Sequence, residues 1–290
     1  MKFAIFGNPS SDKTCGHEQQ LFNLLHSLGD TIAVESRYQD FLTGVMGMDI
    51  PYDTLITDDD FQADAVISIG GDGTFLRTAT RVGNKAIPMV GINTGRLGFL
   101  ADITCDRVEE AIRLIHTGQY SLERRNLLEV NMAGIPQGHT PYALNDIAIL
   151  KHDISSMISI STKVGGTPMI NYLADGLVIS TPTGSTAYSL SVGGPIIAPG
   201  TNVICLTPVA PHSLTMRPLV LPSDQTIRLD VESRSHSFLV SIDGNSFSCP
   251  EHTIIEISRA PFQINVIKPR GGDFFSTLRE KMLWGTDSRK

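Results

Sequence analysis

The stretch Ala65 to Val82, AVISIGGDGTFLRTATRV, constrains this chain more than any other. Ala65 to Ile69 is an unbroken apolar run, the pattern of a strand buried on both faces. It stops at Gly70-Gly71-Asp72-Gly73-Thr74. Phe75, Ala79 and Val82 then recur at i, i+4 and i+7, one face of a helix. The order is strand, glycine loop, helix. Glycines let the backbone turn sharply and leave no side chain in the way of a ligand. Amides at a helix start, with the dipole behind them, favour a phosphate. Asp72 sits in the middle of that loop, where a carboxylate repels phosphate. It has a purpose there if it takes a proton from a hydroxyl or holds a metal beside the phosphate. Asp72-Gly73 is equally a plain turn dipeptide. The loop alone leaves both readings open.

Composition narrows the class. A length of 290 residues points to two domains. At 41% hydrophobic and 18% charged, the chain can build ordinary cores. Its formal charge of −7 argues against a general nucleic-acid binder and leaves room for a local nucleotide pocket. Cys15, Cys105, Cys205 and Cys249 lack metal-ligand spacing and are too few and scattered for a disulfide framework. They read as reduced thiols of a cytosolic protein. Met1 to Phe6 starts like a signal peptide but breaks at Gly7-Asn8-Pro9. No run of about 18 apolar residues is present, so no membrane span is expected.

Taken in order, Lys2 to Phe6 reads as a first strand and Gly7-Asn8-Pro9-Ser10 as its turn. Leu21, Leu24, Leu25 and Leu28 mark a helix face that Gly29 ends. Gly44 to Asp60 has no clear period and closes on Asp58, Asp59 and Asp60, a metal site or a solvated loop. Ile87 to Ile92 is another strand, followed by a second glycine-punctuated loop, Asn93 to Phe99. Asp106 with Glu109 reads as a capping box for a helix with Val108, Ala111, Ile112 and Ile115 on its face. Alternating strands and helices imply a parallel sheet with ligands at the strands' C-terminal ends, where both glycine loops fall.

From about Leu122 the helical periods vanish. Short strand-like runs follow: Leu127–Met132, Ala143–Leu150, Met157–Lys163, Leu177–Ser180, Thr226–Glu232, Phe238–Ile242, Thr253–Ser258 and Phe262–Ile267. Gly165-Gly166, Asp175-Gly176 and Asp243-Gly244 are turn signals between them. This is a mostly β second domain, a sandwich. The run Pro182 to Gly194 interrupts it, too rich in small and hydroxyl residues for a core strand. Phe275, Leu278 and Met282 make the tail, Phe274 to Trp284, helical again. It is expected to return to the first domain. The fold class is therefore an α/β domain with a Rossmann-like parallel sheet plus an all-β sandwich. The expected domains are 1–123 with 267–290, and 124–266.

Three stretches together resemble the NAD kinase family: Gly70-Gly71-Asp72-Gly73-Thr74, Leu144-Asn145-Asp146, and Asp175-Gly176 followed by Thr181-Pro182-Thr183-Gly184-Ser185-Thr186-Ala187-Tyr188-Ser189. Asn93-Thr94-Gly95, Leu97-Gly98-Phe99, Pro211-His212-Ser213-Leu214, Arg217-Pro218 and Leu278 to Trp284 support it. The likeness covers nearly the whole chain. The first motif is shared with diacylglycerol-type and sphingosine-type lipid kinases and, more distantly, phosphofructokinases; the TPTGSTAYS run is far more specific.

The resemblance implies transfer of the γ-phosphate of ATP to the 2′-hydroxyl of the adenosine ribose of NAD, giving NADP. It implies Mg²⁺ or another divalent cation and a cytoplasmic homo-oligomer, dimer or tetramer, built through the β domain. Its partners are small molecules, with neither nucleic acid nor membrane. Chemistry asks for the same parts. A ribose hydroxyl is a poor nucleophile, and a positioned carboxylate that accepts its proton gives about 10²–10⁴-fold. Alignment and charge neutralisation supply the rest. Asp72 is the expected base, with Gly70, Gly71, Gly73 and Thr74 cradling phosphates. The resemblance places Asn145 on the adenosine half, Asp146 on the ribose hydroxyls, and Thr183, Ser185, Thr186, Ala187 and Tyr188 around the dinucleotide. It places Asp175 near the nicotinamide half, in reach of a neighbouring subunit's ligand, and Phe99 near the adenine. Each has a structural alternative: an Asx turn at Asn145, a solvated Ser/Thr loop, a core role for Phe99. Asp243 and His212 are weaker candidates, and Arg77 and Arg96 are phosphate partners by position.

The chain departs from the family pattern once. Many members carry a basic residue two positions before the aspartate matched by Asp175; here Leu173 stands there, then Ala174. The preference between NAD and NADH is open for that reason. No Walker-type lysine loop marks the triphosphate site, so polyphosphate is a further possible donor. Two rivals share part of the pattern. A soluble lipid kinase would share the Gly70 to Thr74 loop and not need Thr181 to Ser189. A non-catalytic NAD(P)-binding module would need only Asn145 and Tyr188 and would leave Asp72 without a purpose.

Overall fold

The computed structural model describes residues 1–9, 17–95, 98–153, 156–269 and 274–283. Ser10, Cys15, Arg96, Leu97 and Trp284, singled out above, lie outside them. The chain divides into two compact units, Met1–Arg124 with Ile264–Lys290, and Arg125–Gln263.

The first unit is α/β. Its strands are β1 (Lys2–Gly7), β2 (Thr31–Glu35), β3 (Thr54–Ile56), β4 (Ala65–Ile69), β5 (Met89–Asn93) and the short β6 (Ile103–Thr104). Between and after them run α1 (Glu18–Ser27), α2 (Ser36–Asp40), α3 (Asp72–Val82) and α4 (Val108–His116). All pairings are parallel, in the order β5-β4-β1-β2-β3. All five residues of β4 are buried, as an inner strand covered on both faces must be. Helix faces close over the sheet: Phe22 and Leu25 from α1, Phe75 and Val82 from α3, Ile112 and Ile115 from α4 are all buried.

Two local expectations, at Asp106–Glu109 and at Gly44 to Asp60, are corrected here. The Asp106–Glu109 capping box does not form. A 3₁₀ turn, Cys105–Arg107, precedes α4, and no side chain caps its start. Thr104 hydrogen-bonds the Asp106 carboxyl and holds it below the usual carboxylate range. Ser36 to Val45 is helical, an α turn passing into a π turn at Phe41–Val45, and it buries Tyr38, Phe41 and Leu42. Gly44 to Asp60 is not all loop, since β3 lies inside it.

The second unit is a pair of antiparallel sheets. Its strands are β7 (Tyr120–Asn131), which starts in the first unit, β8 (Tyr142–Ala143), β9 (Asp146–Lys151), β10 (Ile158–Val164), β11 (Thr167–Ala174), β12 (Gly176–Ser180), β13 (Val203–Val209), β14 (Leu219–Pro222), β15 (Ile227–Glu232), β16 (Ser237–Ile242) and β17 (Asn245–Pro250). The long β18 (Ile255–Pro269) begins here and ends in the first unit. One sheet runs β14-β13-β12-β9-β16-β17; the other contains β11-β10-β15 and the start of β18. Their inner faces share one core, with Ile147, Ile149, Ile179 and Val240 from the first and Ile160, Leu229, Val231 and Ile257 from the second. A 3₁₀ turn (Thr183–Thr186) and the short α5 (Tyr188–Ser191) follow β12. The final α6 (Phe274–Met282) belongs to the first unit. No helix among the described residues is long and apolar enough to cross a membrane.

Candidate active site

The candidate residues form two groups, one in each unit. In the first unit, β4 delivers the chain to Gly70, whose φ of 148° lies where side chains rarely go. A Cβ at Gly70 would overlap Thr74 Oγ1, so this turn takes glycine alone. Gly71 caps α3, and its carbonyl accepts the amides of Thr74 at 3.0 Å and Phe75 at 3.1 Å. The first-turn amides, at Asp72 and Gly73, have no carbonyl ahead of them in the helix. Gly71 and Gly73 are exposed, and a Cβ on either would meet open space. Arg77, exposed one turn along, donates to Thr74 Oγ1 at 3.3 Å.

Asp72 reaches back from the helix start into the second glycine loop. Its Oδ1 accepts the amides of Leu100 at 3.0 Å and Ala101 at 3.1 Å. Its Oδ2 accepts the amide of Phe99 at 2.9 Å. The side chain fits because Gly98 has no Cβ; one there would collide with the carboxylate. A fourth contact comes from α6, where Lys281 Nζ stands 3.4 Å from Oδ2 and 4.4 Å from the centroid of the Phe99 ring. Phe274 also packs on that ring, centroids 6.4 Å apart. Phe99 is half-buried, with an aromatic and a cation against it.

In the second unit the same device recurs. Asp243 stands in the hairpin turn between β16 and β17 with φ of 47°, followed by Gly244 at 85°. Its carboxylate accepts the amides of Leu144 at 2.7 Å, Asn145 at 2.8 Å and Asp146 at 3.0 Å. Burial pushes the Asp243 carboxyl up, against the pull of those three amides. Asp146, 6% exposed, is pushed up to about 7, first by burial and then by the charge of Asp243.

The TPTGSTAYS run locks onto this loop from the other side. Thr181 donates twice, its amide to the Asn145 carbonyl at 2.9 Å and its hydroxyl to the Leu144 carbonyl at 2.6 Å, and its hydroxyl accepts the Gly184 amide at 3.1 Å. A Cβ on Gly184 would overlap the Asn145 backbone, so close approach again needs glycine. Ser185 is buried, donating to the Pro182 carbonyl at 2.7 Å and accepting the Ile197 amide at 3.0 Å. Thr186 donates to the Thr183 carbonyl at 3.3 Å. Arg125, 5% exposed, donates to Thr183 Oγ1 at 3.2 Å. Ala187 and Tyr188 open towards solvent. Burial, then the charges of Asp146 and Asp175, push the Tyr188 hydroxyl's pKa up. Asp175 is itself paired, 2.7 Å from Lys151 Nζ. His212 is exposed, and only its amide reaches this region, giving to the Leu173 carbonyl at 2.9 Å.

Three residues here escape a reading of the sequence: Lys281 as a partner of Asp72, Lys151 as a partner of Asp175, and Thr181 as the clasp of the Asn145 loop. The clasp had a signal in its motif. The two lysines had none, because their partners are 209 positions away and across a strand pair respectively. Asp58 to Asp60 form an exposed loop, with Asp59 paired to Arg81. No group of three or more potential metal ligands is present among the described residues.

Comparison with known proteins covers the whole chain. The ATP-NAD kinase N-terminal domain matches residues 3–120 and the ATP-NAD kinase C-terminal domain residues 144–269. An NAD kinase of Bacteroides fragilis is 54% identical over 289 residues, covering 100% of both chains. One from Porphyromonas gingivalis is 43% identical, covering 99% of each. Among solved structures, yeast NADH kinase complexed with NADH aligns with a TM-score of 0.87 at 23% identity, covering 99% of this chain and 89% of that one. An Archaeoglobus fulgidus NAD kinase in complex with ATP aligns with a TM-score of 0.74 at 24% identity, covering 98% of each. At such identity these two speak for the fold.

Proposed function

We propose the reaction from one premise: this chain belongs to the NAD kinase family. It is an ATP-dependent NAD kinase. The bond between the γ-phosphorus of ATP and its bridging oxygen breaks, a bond from the ribose 2′-oxygen of NAD forms, and the ribose proton goes to Asp72. The products are ADP and NADP.

The observation that carries the base assignment is the uneven load on the Asp72 oxygens. Oδ1 holds two amides; Oδ2 holds one amide and the longer Lys281 contact. A carboxylate has about four acceptor positions. The Lys281 contact is the weakest, so Oδ2 is where a hydroxyl enters. The first-turn amides of α3 and the exposed Gly71 and Gly73 take the phosphates. Asn145 and Asp146 hold the adenosine half, Thr183 to Tyr188 line the dinucleotide, and Asp175 faces its nicotinamide half. Arg77 and Phe99 serve the phosphates and the adenine. Asp243 acts from beneath, by fixing the loop that carries Asn145.

A divalent cation would come bound to the ATP phosphates. Mg²⁺ takes most of its oxygens from phosphates and water; it would be held by the ATP phosphates at the start of α3, beside Asp72 rather than on its amide-held oxygens. When bound it neutralises charge on the transferring phosphoryl group. The enzyme works in the cytoplasm as a homodimer or homotetramer assembled through the β unit.

A second reading rests on Asp146, whose carboxyl near 7 is tuned as a general base at neutral pH. Asp72→Asn and Asp146→Asn separate the two. With Asp72 as base, Asp72→Asn still binds NAD by calorimetry and loses about 10²–10⁴-fold in kcat, while Asp146→Asn mainly raises KM. Near-wild-type kcat in folded Asp72→Asn overturns the assignment. Failure of the wild type to form NADP from NAD with Mg-ATP overturns the reaction.

A further inference from the structure

We infer that Lys151 sets how strongly this enzyme distinguishes oxidised from reduced dinucleotide, by neutralising Asp175. The inference rests on the reading that Asp175 faces the nicotinamide half.

β9 and β12 pair antiparallel, with Leu150 opposite Gly176. That register puts Lys151 beside Asp175, and the Lys151 amide donates to the Asp175 carbonyl at 2.9 Å. The ammonium closes the same pair at 2.7 Å. Both side chains are partly screened from water, 24% and 31% exposed, so the pairing is neither buried nor free. The Asp175 charge is felt at the Tyr188 hydroxyl, as is that of Asp146. Residue 173, where a basic side chain would flank Asp175 from its own strand, is an exposed leucine. The cation beside Asp175 thus comes from β9.

The consequence follows from the ligand's charge. The nicotinamide ring is a cation in NAD and neutral in NADH; the rest of the dinucleotide is the same. A lone carboxylate near the ring attracts only the oxidised form. A carboxylate already paired with an ammonium presents little net field and treats the two alike. Lys151 therefore lowers discrimination, and removing it restores the Asp175 charge in favour of NAD.

The test is kcat/KM for NAD and for NADH, with Mg-ATP, in wild type, Lys151→Met, Asp175→Asn and the double variant. Lys151→Met is expected to raise the NAD-over-NADH ratio by roughly threefold to tenfold, the size of one charge at partly solvated range. Asp175→Asn should lower it, the double variant, which has lost both charges, should return to near the wild-type ratio, and Lys151→Arg should keep the wild-type ratio. A ratio in Lys151→Met within about twofold of wild type overturns the inference, as does a double variant whose ratio stays at that of Asp175→Asn alone. Calorimetric affinities for NAD and NADH on the same proteins give the same ratio without turnover. An inactive wild type with the expected binding ratios would sink the reaction and spare the inference.

Discussion

Lys281 Nζ lies 3.4 Å from Asp72 Oδ2 and 4.4 Å from the centre of the Phe99 ring, so the last helix touches both the expected base and the expected adenine-side aromatic. One side chain links α6 to the loop that holds Asp72. Its ion pair is about one-third exposed and long, so it counts at the low end of such pairs. With the cation–π contact it contributes about 1 kcal/mol. Lys281→Met should loosen α6 without unfolding the sheet. Amide exchange across Phe274–Met282 is expected to quicken about fivefold, the factor matching that energy, while the thermal midpoint of the whole protein stays nearly fixed. Unchanged exchange in α6 would mean that Phe274 and Leu278 alone dock it.

Gly73 and Gly98 make opposite predictions. At Gly73 an added Cβ meets open space on the outer side of α3. Alanine there removes the conformational freedom glycine has in the unfolded chain and should stabilise the protein by roughly 0.5–1 kcal/mol. It should nonetheless lose at least about tenfold in kcat/KM for ATP, since the methyl occupies the space a phosphate needs. At Gly98 the Cβ strikes the Asp72 carboxylate. Gly98→Ala must turn Asp72 away from its amides, leaving buried donors unpaired at about 1–3 kcal/mol. Urea titration beside steady-state kinetics reads both variants. A fully active Gly73→Ala would show that no phosphate approaches Gly73.

What could be read from the sequence and what could not divides along physical lines. β4 and α3 are legible because their burial patterns have a strong local period, and Gly70 because the turn itself demands glycine. The edge strand β11 is not, since Ile170 and Leu173 point outward and blur its alternation. β13 carries Pro208, which argues against a central strand although it is one. β18 reads as two strands, Thr253–Ser258 and Phe262–Ile267, split by Pro261. The backbone runs through because its pairings lie on either side: Ile255 to Ile257 with β15, Val266 with β5. In the site, residues within a motif were legible. Asp243 was legible as a turn but not as the anchor of Leu144 to Asp146, a contact 97 to 99 positions long.

That anchor has a measurable weight. Asp243→Ala leaves three neighbouring amides without their acceptor, and each buried donor so orphaned costs about 1–3 kcal/mol before relaxation. Loss of about 3 kcal/mol in chemical denaturation is expected, with NAD affinity falling at least tenfold because Asn145 is no longer held. Asp243→Asn keeps one acceptor oxygen and turns an NH₂ towards an amide donor, so it should fall between. A stable Asp243→Ala with normal NAD affinity would show that Thr181 and Gly184 fix the loop without help.

The buried pair Asp146 and Asp243 predicts how the free enzyme responds to pH. Asp146 is pushed up to about 7, first by burial and then by the Asp243 charge, and Asp243 is also raised by burial. In the unfolded chain an aspartate titrates near 3.9. Between those values the folded state holds a proton that the unfolded state has released, so stability must fall as pH rises from about 4 to about 7. Three pK units correspond to up to about 4 kcal/mol, lessened by any water that enters. Asp146→Asn, which cannot ionise, should flatten most of that slope in denaturant titrations of the ligand-free protein. Asp243→Asn removes the neighbouring charge and should bring the Asp146 carboxyl down, visible in the carboxyl-carbon shift by NMR. A wild type whose stability rises through this window, or an Asp146→Asn variant with an unchanged slope, would show that other groups govern the acid response.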